Sequence, residues 1–367
     1  MSVGRAGAAP RPGQLSFGDL SVPEATQTEG LSLPVEPVAS AAASSDDRRG
    51  VLLTGHFPEA GQLAAPARPR PGDWSGLGAT PKTVAFELPP PALPDEASRD
   101  RTLPVYATKE LEQRLGRLRG GQTLDVEPGE YRGTLTVRTA VTLRAVGGVV
   151  RIRSTTGPAV CLKGCGATLI GLTLRSDHGD AVVVESGAGR SVGLASSATG
   201  GQRLEVVDCE VTGDQGGIVV QTSLVRLGVD GGCVSAGEGS AIRLAERGVA
   251  AVAGSRLTSA NAHGVAGERD VRLVLIGATI EGCGGAGVRL GAGATLWMDD
   301  GEPTTITGNH GSGIALGPGA TGAITGATIT ANGGWGIIAP GAELPCRGLT
   351  MHGNALGDVH RATPSGH

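Results

Sequence analysis

A pair of apolar residues eight positions apart, with glycine just before the second, recurs along the sequence at a nearly constant step. It is plainest in Thr305-Ile306-Thr307-Gly308-Asn309-His310-Gly311-Ser312-Gly313-Ile314 and in its near-copy from Thr328 to Ile337. Looser versions occupy 279–288 and 350–359. The same spacing links Ile152 to Val160, Leu174 to Val182, Val234 to Ile242 and Leu257 to Val265, and it tightens to seven between Val211 and Ile218. The first members stand at 152, 174, 211, 234, 257, 280, 306, 329 and 351, so the steps are 22, 37, 23, 23, 23, 26, 23 and 22. A step near 23 is too long for pentapeptide or hexapeptide coils. Helix-pair repeats have other lengths, and strands this short do not make propeller blades. One turn of a three-sided solenoid fits. Each turn lays a few short strands into parallel sheets, and its apolar residues stack inward on the next turn about 4.8 Å away. Roughly ten such turns fit in 123–361, a rod on the order of 45–50 Å long.

The two ends of the chain depart from this pattern. Fifteen of the 22 prolines lie in residues 1–104, which carry nine Lys/Arg against twelve Asp/Glu. Runs such as Pro89-Pro90-Pro91 cannot build a helix or a central strand, so a disordered or extended Pro-rich arm is expected here. Three apolar islands interrupt it, at Leu15-Ser16-Phe17, Val51-Leu52-Leu53 and Val84-Ala85-Phe86-Glu87-Leu88. Within 105–122, Leu111, Leu115 and Leu118 share one helical face. Thr108 is a candidate N-cap and Gly120-Gly121 a stop, giving an amphipathic helix over 108–118. Residues 362–367 read as a tail.

The repeats at 305–314, 328–337 and 350–359, and the helix followed by Gly121-Gln122-Thr123-Leu124-Asp125-Val126, resemble the right-handed parallel β-helix (pectin-lyase-like) superfamily. The resemblance covers about 105–360. It implies an all-β, right-handed parallel β-helix solenoid whose first coil is capped by the short N-terminal helix. It implies little about activity, because this fold hosts lyases, hydrolases, epimerases, adhesins and scaffolds. The superfamily's Asp-Pro-His-Asp epimerase motif is not matched by Asp177-His178-Gly179-Asp180. No Gly-His-Gly set and no pectate-lyase-like Asp, Lys and Arg cluster is present either.

Three residues after each first anchor stands a turn residue: Thr155, Asp177, Asp214, Gly237, Ala260, Cys283, Asn309, Asn332 and Asn354. The three asparagines read as an Asn ladder, amides bonding along one corner. Asp177 and Asp214 should then be carboxylate neighbours about 5 Å apart, one with a raised pKa. With His178 and Asp180 they form the candidate catalytic set. The 37-residue step beside them places a Ser/Gly-rich insertion, 186–201, next to the same corner. The 26-residue step holds Asp299, Asp300 and Glu302, an acidic turn that could take Ca²⁺, beside Trp297, a ring that could stack on a sugar. Arg243 and Arg289 follow second anchors and form a sparse stripe suited to an acidic polymer.

A formal charge of −4 supplies no basic field for nucleic acid and no cationic surface for lipid. No apolar run approaches a membrane span, and residues 1–10 lack a signal peptide's apolar segment. Six cysteines without metal-site spacing read as small core or turn residues, consistent with a reducing, cytoplasmic setting. Two main roles remain open. A non-catalytic scaffold or binding module, docking a protein partner or an acidic polysaccharide on a sheet face, agrees with the short turns and scarce aromatics of the coils. A carbohydrate-active lyase, epimerase or hydrolase using the corner acids, with no cofactor beyond Ca²⁺, is the alternative. A cytoplasmic tailoring enzyme acting on a small molecule or peptide is a weaker third.

Overall fold

The structure is a computed structural model and describes residues 103–186, 202–223, 225–299, 301–341 and 344–360. Nearly all of the 1–104 arm, most of the 186–201 insertion, Asp300 and the 362–367 tail lie outside the described residues.

Among the described residues, the short Val/Ile/Leu/Thr segments between Gly-containing turns are strands, and every pairing is parallel. The strands form three sheets of eleven, ten and ten members, each built from every third strand of the chain. We call them sheet A (beginning Val105–Ala107 and Gly129–Arg132), sheet B (beginning Gln122–Val126) and sheet C (beginning Leu135–Val137). Each coil runs through B, A and C in turn, about ten times, and the molecule is a parallel β-helix.

The repeat predicts the register residue by residue. The first anchors pair in one inward row of sheet A, including Ile152 with Leu174, Val211 with Val234, Ile280 with Ile306 and Ile329 with Met351. The second anchors do the same in sheet C, from Val160 with Val182 to Ile337 with Val359. Stacking puts these side chains in a single apolar column; Ile152, Leu174, Ile280 and Ile306 are fully buried. Each contributes roughly 1.5–3 kcal/mol of burial. The tight B-to-A corner depends on a left-handed residue, and Gly231, Gly254, Gly277 and Gly326 supply it with φ between 53° and 68°.

The N-terminal elements differ from expectation in detail. The helix spans Thr108–Leu115 and ends at Gly116 in a right-handed conformation, before Gly120-Gly121. Ala107 holds the N-cap position without a side-chain bond. Thr108 is buried instead, and its hydroxyl donates to the Thr134 carbonyl at 3.3 Å. Residues 105–107 are a strand paired with 130–132, so the 105–122 segment is strand plus helix, and sheet B begins at Gln122. Leu111 and Leu115 join the apolar column. Among the described residues no helix is long and apolar enough to cross a membrane.

The corner from sheet A to sheet C takes two forms. In the early coils the strand continues two residues past the anchor. Ser154, Ser176 and Ser259 therefore point inward and are buried, and the next residue points out. In the last coils the second residue after the anchor is left-handed: Gly282, Gly308, Ala331 and Gly353 have φ of 61°, 63°, 53° and 69°. That reversal turns the third residue inward. Cys283, Asn309, Asn332 and Asn354 are all buried. The asparagines are joined in series, Asn309 Nδ2 donating to Asn332 Oδ1 and Asn332 Nδ2 to Asn354 Oδ1, each at 2.9 Å.

Candidate functional site

The residue after each sheet A anchor points to solvent. On three consecutive strands that residue is arginine: Arg132 pairs with Arg153, and Arg153 with Arg175. Arg151 stands in the neighbouring outward row, opposite Glu130. Two carboxylates lie between these cations. Asp177 accepts from Arg153 Nε at 2.8 Å and from Arg175 Nε at 3.0 Å. Glu130 accepts from Arg132 Nε at 2.7 Å, with Arg151 at 3.7 Å. The Arg153 hydrogen bond holds the Asp177 carboxyl below the usual carboxylate range, and Arg132 does the same for Glu130. The four guanidinium side chains are 38–63% exposed, whereas Asp177 and Glu130 are 15% and 11% exposed. The acids sit below and the guanidinium edges face outward. A shallow cleft of about 170 Å³ runs between Arg151, Arg153, Thr173, Arg175, Glu210 and Thr212.

A larger cavity, about 370 Å³, opens beside sheet C. Asp180, Gln215, Gln221, Ser240, Arg243 and Glu268 provide its polar groups, over an apolar floor at Val219 and Val220. Gly216 lets the carboxylate approach; a Cβ there would lie 2.7 Å from Asp180 Oδ1. Burial pushes the Asp180 carboxyl up, and Arg243 partly opposes this. Arg243 stands 3.6 Å from Glu268.

The structure divides the sequence-derived set. Asp177 belongs to the arginine face and Asp180 to the sheet C cavity, while His178 and Asp214 are exposed at the turn and line neither cleft. The expected repelling pair with one raised pKa is overturned at Asp177, because two arginines neutralise its charge. Arg243 joins Asp180 instead. Arg289 lies further along the same outward row, separated from Arg243 by Ala266, with Nη1 3.5 Å from His263 Nε2. Trp297 faces out from sheet B between Val274 and Ala323. Asp299 and Glu302 flank Asp300, and among the described residues no three His, Cys, Asp or Glu side chains converge as a metal site. None of the six cysteines forms a disulfide, and burial pushes Cys209 and Cys283 up to about 11, which leaves both as unreactive thiols.

Sequence reasoning missed Arg132, Arg151, Arg153 and Arg175. The signal lies at Arg153 and Arg175, each one residue after a first anchor on successive turns, the same offset that marks Arg243 and Arg289 after second anchors.

No protein-family model matches the chain, and no curated protein matches it. Among solved structures, it is similar to the full-length tailspike protein 2 of Escherichia coli O157:H7 bacteriophage CAB120. That match has 12% identity and a TM-score of 0.44, covering 66% of this chain and 44% of the tailspike, so this chain spans less than half the tailspike's length. The A-module of Azotobacter vinelandii mannuronan C-5 epimerase AlgE4 is similar at 14% identity and a TM-score of 0.39, over 69% of this chain and 89% of that module. The Dettilon tailspike protein matches at 12% identity and a TM-score of 0.27, over 66% and 62% of the two chains.

Proposed function

We propose that this protein is a non-catalytic binding module that holds an acidic polysaccharide across the outer face of sheet A. One observation carries the reading: Arg132, Arg153 and Arg175 stacked one per coil, with Arg151 beside them and their outer edges in solvent. Guanidinium groups repeating about every 4.8 Å along a rigid face suit a ligand that is itself a repeating anion. A single small anion would engage one or two of them. Asp177 and Glu130 orient the arginines without covering their outward donors.

Calorimetric titration of the full chain with a polyuronate, and with a neutral glucan as control, tests this. Binding to the polyuronate alone is expected, weakening as ionic strength rises. The Arg153→Ala/Arg175→Ala variant should lose about tenfold or more in affinity. Equal binding by that variant, or no binding of the polyuronate by the parent, refutes the reading.

The sheet C cavity favours a second reading, a lyase, epimerase or hydrolase in which Asp180 acts as the acid. Its raised pKa beside Arg243 and Glu268 is the supporting observation. Turnover of a uronate polymer that disappears in Asp180→Asn while binding persists would transfer the function to that cavity.

A further inference from the structure

Among the described residues, the outer face of sheet B carries the longer of two apolar rows, the other being Cys161, Val183 and Val219 on sheet C. The central outward row of sheet B runs Ala251, Val274, Trp297 and Ala323, paired in register, with Ala253 and Ile276 beside it. No charge interrupts these positions. On the strand Val249–Ala253 all five residues are buried. The inward pair, Ala250 and Val252, is fully buried as expected, yet the outward Val249, Ala251 and Ala253 are only 8%, 4% and 5% exposed. The neighbouring sheet B strand Arg272–Ile276 alternates between buried and half-buried, as a solvated face does. Arginines border one side of the apolar row, Arg226 pairing with Val249 and Val249 with Arg272, and an acid borders the other, Asp230 pairing with Ala253.

We infer that this face is the docking site of the chain's own segment Val84-Ala85-Phe86-Glu87-Leu88. Val84, Phe86 and Leu88 alternate with smaller or polar residues, so an extended segment presents all three on one side. All three phenylalanines of the protein lie in the first 86 residues, and the coils contain none. Reach is sufficient. The fifteen residues from Leu88 to Leu103 extend up to about 50 Å. The patch begins five strands along sheet B from the first coil, about 24 Å, and ends eight strands along, about 38 Å. Charge sets the orientation: Glu87 inside the segment suits the Arg226 and Arg272 side of the track and not the Asp230 side. This assignment does not depend on the polymer-binding reading, which concerns a different face.

Site-specific photo-crosslinking of the full-length protein tests it, with p-benzoylphenylalanine placed at position 86 and the products mapped by mass spectrometry. The expected result is crosslinks within one chain to peptides containing Ala251, Val274 or Trp297. They should be lost in Val274→Asp, whose outward position leaves the apolar column intact. Limited proteolysis should cut between residues 80 and 92 faster in that variant than in the parent. Crosslinks between chains would assign the face to a second copy and overturn the inference. So would crosslinks to sheet A or C, no crosslink at all, or a crosslink that survives Val274→Asp.

Discussion

The same A-to-C corner is built in two ways along one helix. In the early coils Ser176 ties it to the preceding coil with a single bond, its hydroxyl donating to the Gly157 carbonyl at 2.8 Å, and the following Asp177 is released to the surface to hold arginines. In the late coils a left-handed residue turns asparagine inward and each amide reaches the next coil. The outer faces differ accordingly. Sheet A is charged at Arg132, Arg153 and Arg175, then becomes a hydroxyl surface where Thr279, Thr305, Thr328 and Thr350 pair in one row. One backbone torsion per coil thus decides whether the corner residue serves the interior or the outer surface.

The largest effect should follow from breaking the late corner. Asn332 Oδ1 accepts from both the backbone N–H and the Nδ2 of Asn309, and its own Nδ2 donates to Asn354 and to the Ile306 carbonyl. Asn332→Ala strands buried groups on both sides, at about 1–3 kcal/mol per unsatisfied group, so a loss of about 3 kcal/mol or more is expected. Ser176→Ala removes one donor to the preceding coil and should cost about 1 kcal/mol. Urea denaturation of both variants measures the contrast. Equal losses would mean that the several bonds of the inward amide hold the corner no better than the single hydroxyl bond between early coils.

A smaller effect separates Asp177 from Asp180. Asp177 titrates below its ordinary value near 3.8 because of Arg153 and then Arg175, so its stabilisation is present above that value and is lost as pH falls through its folded pKa. Asp180 titrates above 3.8 because of burial, so its favourable protonated form operates in acid and is lost as pH rises through its folded pKa. Asp177→Asn should therefore lower the melting temperature at pH 7 and converge with the parent in acid. Asp180→Asn should raise it at pH 7 and also converge in acid. Thermal melts across pH 3–7 check both signs, and a fall for Asp180→Asn at pH 7 would remove the burial argument.

Two of the three sheets were legible in the sequence because their inward residues stand eight apart with glycine before the second. Sheet B had no such mark. Its strands place two residues inward, as Leu204 and Val206 do, and vary the rest, so periodicity revealed its existence but not its register. The site was legible only in fragments. Spacing and chemistry mark Asp177, Asp180 and Arg243, but spacing alone makes Asp177 and Asp214 equivalent to Asn309 and Asn332. That equivalence holds for position along the coil and fails for side-chain direction, which depends on the residue before. Gly282, Gly308 and Gly353 occupy that place in the late coils and Ser154, Ser176 and Ser259 in early ones, so composition there carried the distinction. The arginine face followed from the residue after the anchor, where spacing and chemistry had to be read together.

Ala331 offers the finest test of that torsion. It alone among the four left-handed corner residues carries a Cβ, at φ 53°. An L-residue in this region costs roughly 1–2 kcal/mol, and glycine relieves that strain while adding backbone freedom to the unfolded chain. The two terms oppose each other, so Ala331→Gly should stabilise by only about 0.5 kcal/mol. Gly308→Ala, which imposes the same strain on a neighbouring coil with nothing within 4 Å of the added Cβ, should destabilise by about the same amount. Opposite signs in matched melts would tie the inward turn of Asn309 and Asn332 to backbone conformation alone. If both substitutions destabilise, the Ala331 methyl makes a contact that outweighs its strain, and the late corner is held by packing as well as by torsion.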